Sequence, residues 1–169
     1  MNHKLYFILS WVVVFSLEAK EHSSALPLPR FVSLRAPSAK LHVGPGPNYP
    51  VNWLFLRQGM PLEVIAEFDI WRQIRDWQGT EGWIHKSMLS GKRYFWTLDK
   101  TQELKETPND KAKTIAFVAK TVVGKILECQ AKWCKISIKS STGETKNKTF
   151  KGWILRKAIW GTYPHETKF

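Results

Sequence analysis

The sequence predicts an all-β protein built as two tandem small barrels, and three observations carry that reading. Apolar runs of four to seven residues alternate with Gly, Pro, Asn and Asp turn signals, and no window shows convincing helical periodicity. A set of Trp and Gly landmarks occurs twice in the chain at matched spacing. Aromatic residues make up 13% of the 169 residues, which lets two small cores be built from few side chains.

The first unit opens with Phe31–Ala36, short and β-compatible, and turns at Pro37 and Ser38. Leu41 and Val43 alternate around His42 as a second strand. Gly44–Pro50 holds three Pro in seven residues, so it is a surface loop with Tyr49 as its anchor. Val51, Trp53 and Phe55 alternate as a strand, and Arg57-Gln58-Gly59 turns the chain. Leu62–Phe68 and Trp71–Trp77 form the next two strands around a turn at Asp69-Ile70. Gly79 closes the following hairpin, Gly82–His85 is the last strand, and Lys86–Leu89 makes one 3₁₀ turn before Ser90-Gly91.

The second unit repeats the first. Leu127 stands six residues before Trp133 as Ile65 stands six before Trp71. Trp133-Cys134-Lys135-Ile136 matches Trp71-Arg72-Gln73-Ile74, and Gly152-Trp153-Ile154 matches Gly82-Trp83-Ile84. From there the spacing is identical, so that Leu89-Ser90-Gly91 falls on Ile159-Trp160-Gly161. Trp71 to Trp83 spans 12 residues and Trp133 to Trp153 spans 20, which places a longer polar hairpin loop at Ser140–Thr149. The expected organisation is a signal peptide over residues 1–25, a first domain over 26–95 and a linker over 96–110. A second domain over 111–161 and a tail over 162–169 complete it.

Lys4 is a short positive leader, and Leu5–Leu17 is an uncharged run of 13 residues, short of the roughly 20 a membrane span needs. Ser23-Ser24-Ala25 supplies small residues for cleavage after Ala25, with Leu17-Glu18-Ala19 a poorer candidate. The run is expected to be a signal peptide, which makes the protein periplasmic or secreted, with no transmembrane span once it is removed. There is no twin Arg and no Cys near the cleavage site, which disfavours folded export and a lipid anchor. The formal charge of +12 biases the protein toward anionic partners such as cell-wall polymers, lipid head groups or nucleic acid. Export argues against nucleic acid, and none is expected as a partner.

These landmarks resemble bacterial SH3 (SH3b) domains, in particular the exported tandem SH3-like proteins of alphaproteobacteria. The residues that carry the resemblance are Gly44-Pro45 with Tyr49-Pro50, Pro61–Ile65, Trp71–Asp76, Gly79–Ile84 and Leu89–Gly91. The match is close over 31–93 and looser over 111–161. It implies two SH3-like β-barrels and a binding module directed at peptidoglycan or other envelope components. The alternative is a module that binds peptides of envelope proteins. Two departures stand out. Lys40 and His42 occupy the places where the family usually carries Asn-x-Arg, and no Gly-Pro loop motif occurs in the second unit. The Pro and Tyr on which eukaryotic SH3 domains rely after the Gly-aromatic-Ile strand are replaced by His85 and Met88, and by Leu155 and Ala158 in the second copy.

Cys129 and Cys134 flank a loop suited to a hairpin, and in an oxidising compartment they are expected to pair as a cross-strand disulfide; the alternative is two free thiols. Opening the bridge is expected to loosen the second unit and leave the first nearly intact. Two Cys without nearby His do not make a zinc site, so no metal is expected. No nucleophile elbow, phosphate loop or paired acid and base is present, so neither catalysis nor a cofactor is expected.

Strand parity places Arg72, Ile74 and Asp76 on one side of their strand, with Ile74 inward, and Trp71, Arg75 and Trp77 on the other. The candidate ligand surface is therefore Tyr49, Trp71, Trp77 and Trp83, with Arg72 and Arg75 at its edge. Aromatic plates bordered by Arg suit sugar or peptide faces. The competing reading is that these Trp fill the two cores.

Overall fold

The structure is a computed structural model, which describes residues 24–141 and 143–169. Residues 1–23 of the expected signal peptide lie outside the described residues. The chain forms two seven-stranded antiparallel sheets. The first contains β1 (Arg30–Leu34), β2 (Ala39–His42), β3 (Val51–Phe55), β4 (Pro61–Phe68), β5 (Trp71–Arg75), β6 (Glu81–His85) and β7 (Leu89–Ser90). The second contains β8 (Tyr94–Thr97), β9 (Gln102–Lys105), β10 (Thr114–Val118), β11 (Val123–Gln130), β12 (Trp133–Lys139), β13 (Thr149–Leu155) and β14 (Ile159–Trp160). The spatial orders are β3-β2-β6-β5-β4-β1-β7 and β10-β9-β13-β12-β11-β8-β14, so the second sheet is a strand-for-strand copy of the first. A 3₁₀ turn precedes the last strand of each copy, at Lys86–Met88 and Arg156–Ala158.

The boundary between the copies differs from the sequence reading. Tyr94 and Phe95, assigned to the first unit, begin β8 of the second sheet, where they pair with Lys125 and Gly124. Residues 96–110, read as a linker, hold the rest of β8 and all of β9. Gln102–Lys105 pairs with β10 and, through Lys105, with Trp153 of β13, as β2 pairs with β3 and, through His42, with Trp83. These strands escape sequence reading because Gln102-Glu103-Leu104-Lys105 places one apolar side chain inward in a polar run. Leu104 is fully buried, as its counterpart Leu41 is.

The two hairpins that carry the repeat share their irregularities. A β-bulge falls at Ile65, between the pairs Val64↔Ile74 and Ala66↔Gln73, and again at Leu127, between Ile126↔Ile136 and Glu128↔Lys135. An extra residue reverses the side-chain alternation, which is why Leu62–Phe68 reads as a strand of mixed pattern. The first residue of each hairpin loop has a positive φ, 48° at Asp69 and 40° at Ala131. In the core the copies exchange volume across one register pair. Val32 faces Leu62 in the first sheet, and Phe95 faces Gly124 in the second. A Cβ on Gly124 would lie 2.7 Å from the Phe95 ring, so the larger residue on β8 requires the smallest one on β11.

The copies are not beads on a string. Trp96 of β8 belongs to the core of the first sheet, together with Leu34, Met60 and Leu62, and Val123 and Trp160 pack against the same cluster. Trp77 stacks on Trp96 with ring centroids 4.3 Å apart, and Phe31 meets Trp160 edge-on at 5.0 Å. The residues after β14, read as a tail, fold back across the junction. The Tyr163 ring sits 4.7 Å from that of Phe31, and its hydroxyl donates to Glu63 Oε1 at 2.6 Å. Arg93 donates to Glu166 Oε2 at 2.8 Å, and Cys129 N–H donates to the Thr167 carbonyl at 3.0 Å. Among the described residues no helix is long and apolar enough to cross a membrane.

Candidate functional site

The strongest candidate is a groove of about 340 Å³ on the first domain. It lies between the β2–β3 hairpin and the end of β6, and Lys40, His42, Leu54, Trp71, His85 and Met88 line it. Trp71 forms its floor. This residue starts β5 directly after the Asp69-Ile70 turn, pairs with His85 across the ladder, and is 8% exposed. Its indole lies between two imidazoles, with centroids 5.2 Å from His42 at 76° and 5.7 Å from His85 at 89°.

The two histidines are held in opposite ways. His42 Nδ1 lies 2.9 Å from the Tyr49 carbonyl, which can only accept, so Nδ1 carries the proton and Nε2 of the neutral ring is an acceptor. His85 Nδ1 accepts the Ser87 N–H at 3.2 Å and stands 2.7 Å from Ser87 Oγ, so its neutral ring carries the proton on Nε2. An aromatic floor is thus flanked by one acceptor and one donor, with Lys40 at the rim, apolar Leu54 and Met88, and no carboxylate in the lining. Such a set suits a neutral polar chain with an apolar face, such as a sugar or a peptide backbone.

The residues expected to form the ligand surface do not come together. Tyr49 is half-exposed, its ring lies over Gly44 and Gly46, and only its carbonyl reaches the groove, through His42. Trp71 lines the groove but is buried, so it offers a face and not a projecting plate. Arg72 is 6% exposed; its Nη1 donates to the Asp69 and Trp71 carbonyls and its Nε lies 3.0 Å from Glu67. Arg75 donates twice to Glu63 Oε2, at 3.0 and 2.7 Å. Trp77 is committed to the stack on Trp96. Trp83 is half-buried between His42 and Gln73 in the ladder. Parity arguments treat a strand as flat. Here the domain junction covers the outer side at Trp77, and Glu67, five residues back, draws Arg72 into the hairpin.

Sequence reasoning missed Lys40, His42, Leu54, His85 and Met88 as lining residues. Four of them were in view as departures, Lys40 and His42 from the family strand and His85 and Met88 from the eukaryotic groove. The strand Val51–Phe55 was read from the sequence, but not its place as the sheet edge, where Val51, Trp53 and Leu54 are about half exposed.

Two carboxyls away from the groove are held ionised against their burial. Burial alone would raise the Glu67 carboxyl, but the Ser24 N–H, the Arg30 hydrogen bond, the Ser24 hydroxyl and the Arg30 charge outweigh it and hold the group at about 2. Burial likewise opposes ionisation of Glu166, yet hydrogen bonds from Arg93 and the Tyr163 N–H hold it below the usual carboxylate range. Cys129 and Cys134 are joined, face each other in the β11–β12 register, and lie 4.0 Å apart between Cα atoms. Among the described residues no group of three or more His, Cys, Asp or Glu could hold a metal ion.

The chain is thus two small barrels of SH3-like topology, the first carrying the groove over Trp71. Comparison of sequences places the chain in that family: the bacterial SH3 domain matches residues 36–91 and 99–143, more than half of the chain, and the protein belongs to it. The second match begins at 99, within the run first read as a linker. No curated protein matches the chain. Among solved structures it is similar to NlpC2 from Trichomonas vaginalis, with 14% identity and a TM-score of 0.34 over 80% of this chain and 49% of that one. It is likewise similar to NlpC1 from the same organism, at 13% identity and a TM-score of 0.35 over 84% and 49%. The chain spans about half the length of these two structures.

Proposed function

We propose that the protein is a non-catalytic, exported SH3b module that contacts cell-wall peptidoglycan or another envelope component through the groove over Trp71. The observation that carries this reading is the aromatic floor between His42 and His85, with a donor, an acceptor and a Lys at its rim. Membership of the bacterial SH3 family supports it. Export rests on the leader Lys4–Leu17, with cleavage after Ala25 giving a mature chain that starts at Leu26.

The test is co-sedimentation of the purified protein with peptidoglycan through a salt series. Retention that survives high salt, and is lost in His85→Ala and Leu54→Ala, is the expected result. No retention at low salt overturns the reading. The mass of the protein recovered from an envelope fraction tests the cleavage site. A second reading, an envelope peptide as ligand, is favoured by β3. That strand is the outer edge of its sheet and exposes Val51, Trp53 and Leu54, which suits an added peptide strand. A Trp53→Glu variant that still sediments with peptidoglycan but loses a protein partner would select it.

A further inference from the structure

The geometry points to a second binding site, in the cleft where the two domains meet, that takes a phosphate group borne on a glycan. The cleft has a volume of about 580 Å³, room for one or two sugar units, and is separate from the groove over Trp71. Arg35, Arg57 and Lys92 line it, and no carboxylate does. None of the three takes part in any ion pair among the described residues, although Arg30, Arg72, Arg75 and Arg93 all do. Three cations from separate segments thus converge on one cleft with their charge uncompensated.

The cleft is built by the docking of the domains. Gly59, with φ 79°, turns the chain so closely over the second domain that a Cβ there would meet the Tyr94 ring at 3.0 Å and Val123 at 3.3 Å. That turn carries Arg57 and Gln58. The Arg57 guanidinium lies 5.3 Å from the Trp96 ring, which in turn stacks on Trp77, so the cation rests on a plate supplied by the other domain. Gln58 Nε2 donates to the Arg35 carbonyl at 2.7 Å and ties the second cation to the same turn. Lys92 comes from the short connector after Ser90, whose hydroxyl accepts its N–H at 3.3 Å. A phosphate dianion matches a triple positive field better than a single carboxylate, and guanidinium forks fit its oxygens. The Tyr94 ring and the Ser90 hydroxyl add the stacking face and neutral polar edge that suit a sugar.

The test is titration of the whole protein with glucosamine 1-phosphate, followed by Trp fluorescence, since Trp96 lies under Arg57. Saturable binding is expected. It should weaken roughly tenfold in Arg35→Gln and again in Lys92→Gln, as the loss of one charged hydrogen bond requires. Both side chains are exposed, so melting temperatures should not move; Arg57→Lys, which keeps the charge and loses the fork, should weaken binding with the fold intact. The absence of saturable binding, or equal binding of unphosphorylated glucosamine, overturns the proposal. Inorganic phosphate that binds as tightly as the sugar phosphate overturns the assignment to a glycan. Peptidoglycan retention should be unchanged in Arg35→Gln and Lys92→Gln, which separates this site from the groove over Trp71.

Discussion

Glu67 and Arg72 face each other across the β4–β5 hairpin at the position where the second copy carries Cys129 and Cys134. One cross-strand link is ionic and the other covalent, in the same register and on the same side of the same bulge. Arg72→Ala leaves Glu67 buried with Arg30 as its remaining ionic partner, and a loss of about 3 kcal/mol is expected, because a broken buried pair strands a charge. Chemical denaturation of the variant measures it. The double variant Glu67→Cys with Arg72→Cys should close a disulfide under oxidising conditions. Thiol titration that found both sulfurs free would contradict the equivalence of the two hairpins.

The same carboxyl sets an acid limit. Glu67 sits at about 2 in the fold against an ordinary value of 4.5. Because the folded value is the lower one, the pair stabilises the fold fully above pH 4.5, and that contribution falls away as pH drops from 4.5 to about 2. The amount is on the order of 3 kcal/mol. Glu67→Gln should show no such fall between those limits, although it is less stable at pH 7. A chain starting at Leu26 lacks the two Ser24 hydrogen bonds, so its carboxyl should titrate higher, and the acid loss, still beginning near pH 4.5, should be smaller and complete at a higher pH.

Reduction of Cys129–Cys134 should cost roughly 2 kcal/mol, near the low end for a bridge that closes so short a loop. The sequence suggested that only the second unit would respond. The shared core argues otherwise. Trp96 fills the first core from the second sheet, and Tyr163 bonds Glu63 across the junction, so the domains should melt in one transition that moves as a whole on reduction. Calorimetry with and without reductant decides this; two transitions of which one moves would show that the junction does not couple them.

The strand plan of the first copy is legible in sequence because its turns are marked by Gly and Pro and its strands by large alternating side chains. The second copy is legible only from Leu127 onward, where Trp133 and Gly152 repeat the landmarks of Trp71 and Gly82. Its first strands, β8 and β9, carry no such marks, and their place in the sheet depends on distant partners, such as Gly124 for Phe95 and Trp153 for Lys105. The groove was half visible. Trp71 was chosen for its aromaticity, but its neighbours His42 and His85 come from strands that only the closed sheet brings beside it. The structural role of Arg72 could have been read earlier, since the repeat sets Glu67 and Arg72 on the positions of the two Cys.

Gly82 and Gly152 hold each barrel shut, and their replacement tests how the fold supports the groove. A Cβ on Gly82 would lie 2.6 Å from Leu41 Cγ and 2.9 Å from the His42 carbonyl. On Gly152 it would lie 2.8 Å from Leu104 Cγ and 2.7 Å from the Lys105 carbonyl. Backbone cannot give way as a side-chain tip can, so either Ala substitution should cost about 1–3 kcal/mol. The two should differ in function. Gly82→Ala pushes β2 off β6 and moves His42 away from Trp71, so peptidoglycan retention should fall with stability. Gly152→Ala should lower stability by a similar amount and spare retention measured well below its melting temperature. Gly91→Ala, where a Cβ meets nothing within 4 Å, should change neither. Equal loss of retention in both destabilised variants would show that the groove over Trp71 is not where the ligand sits.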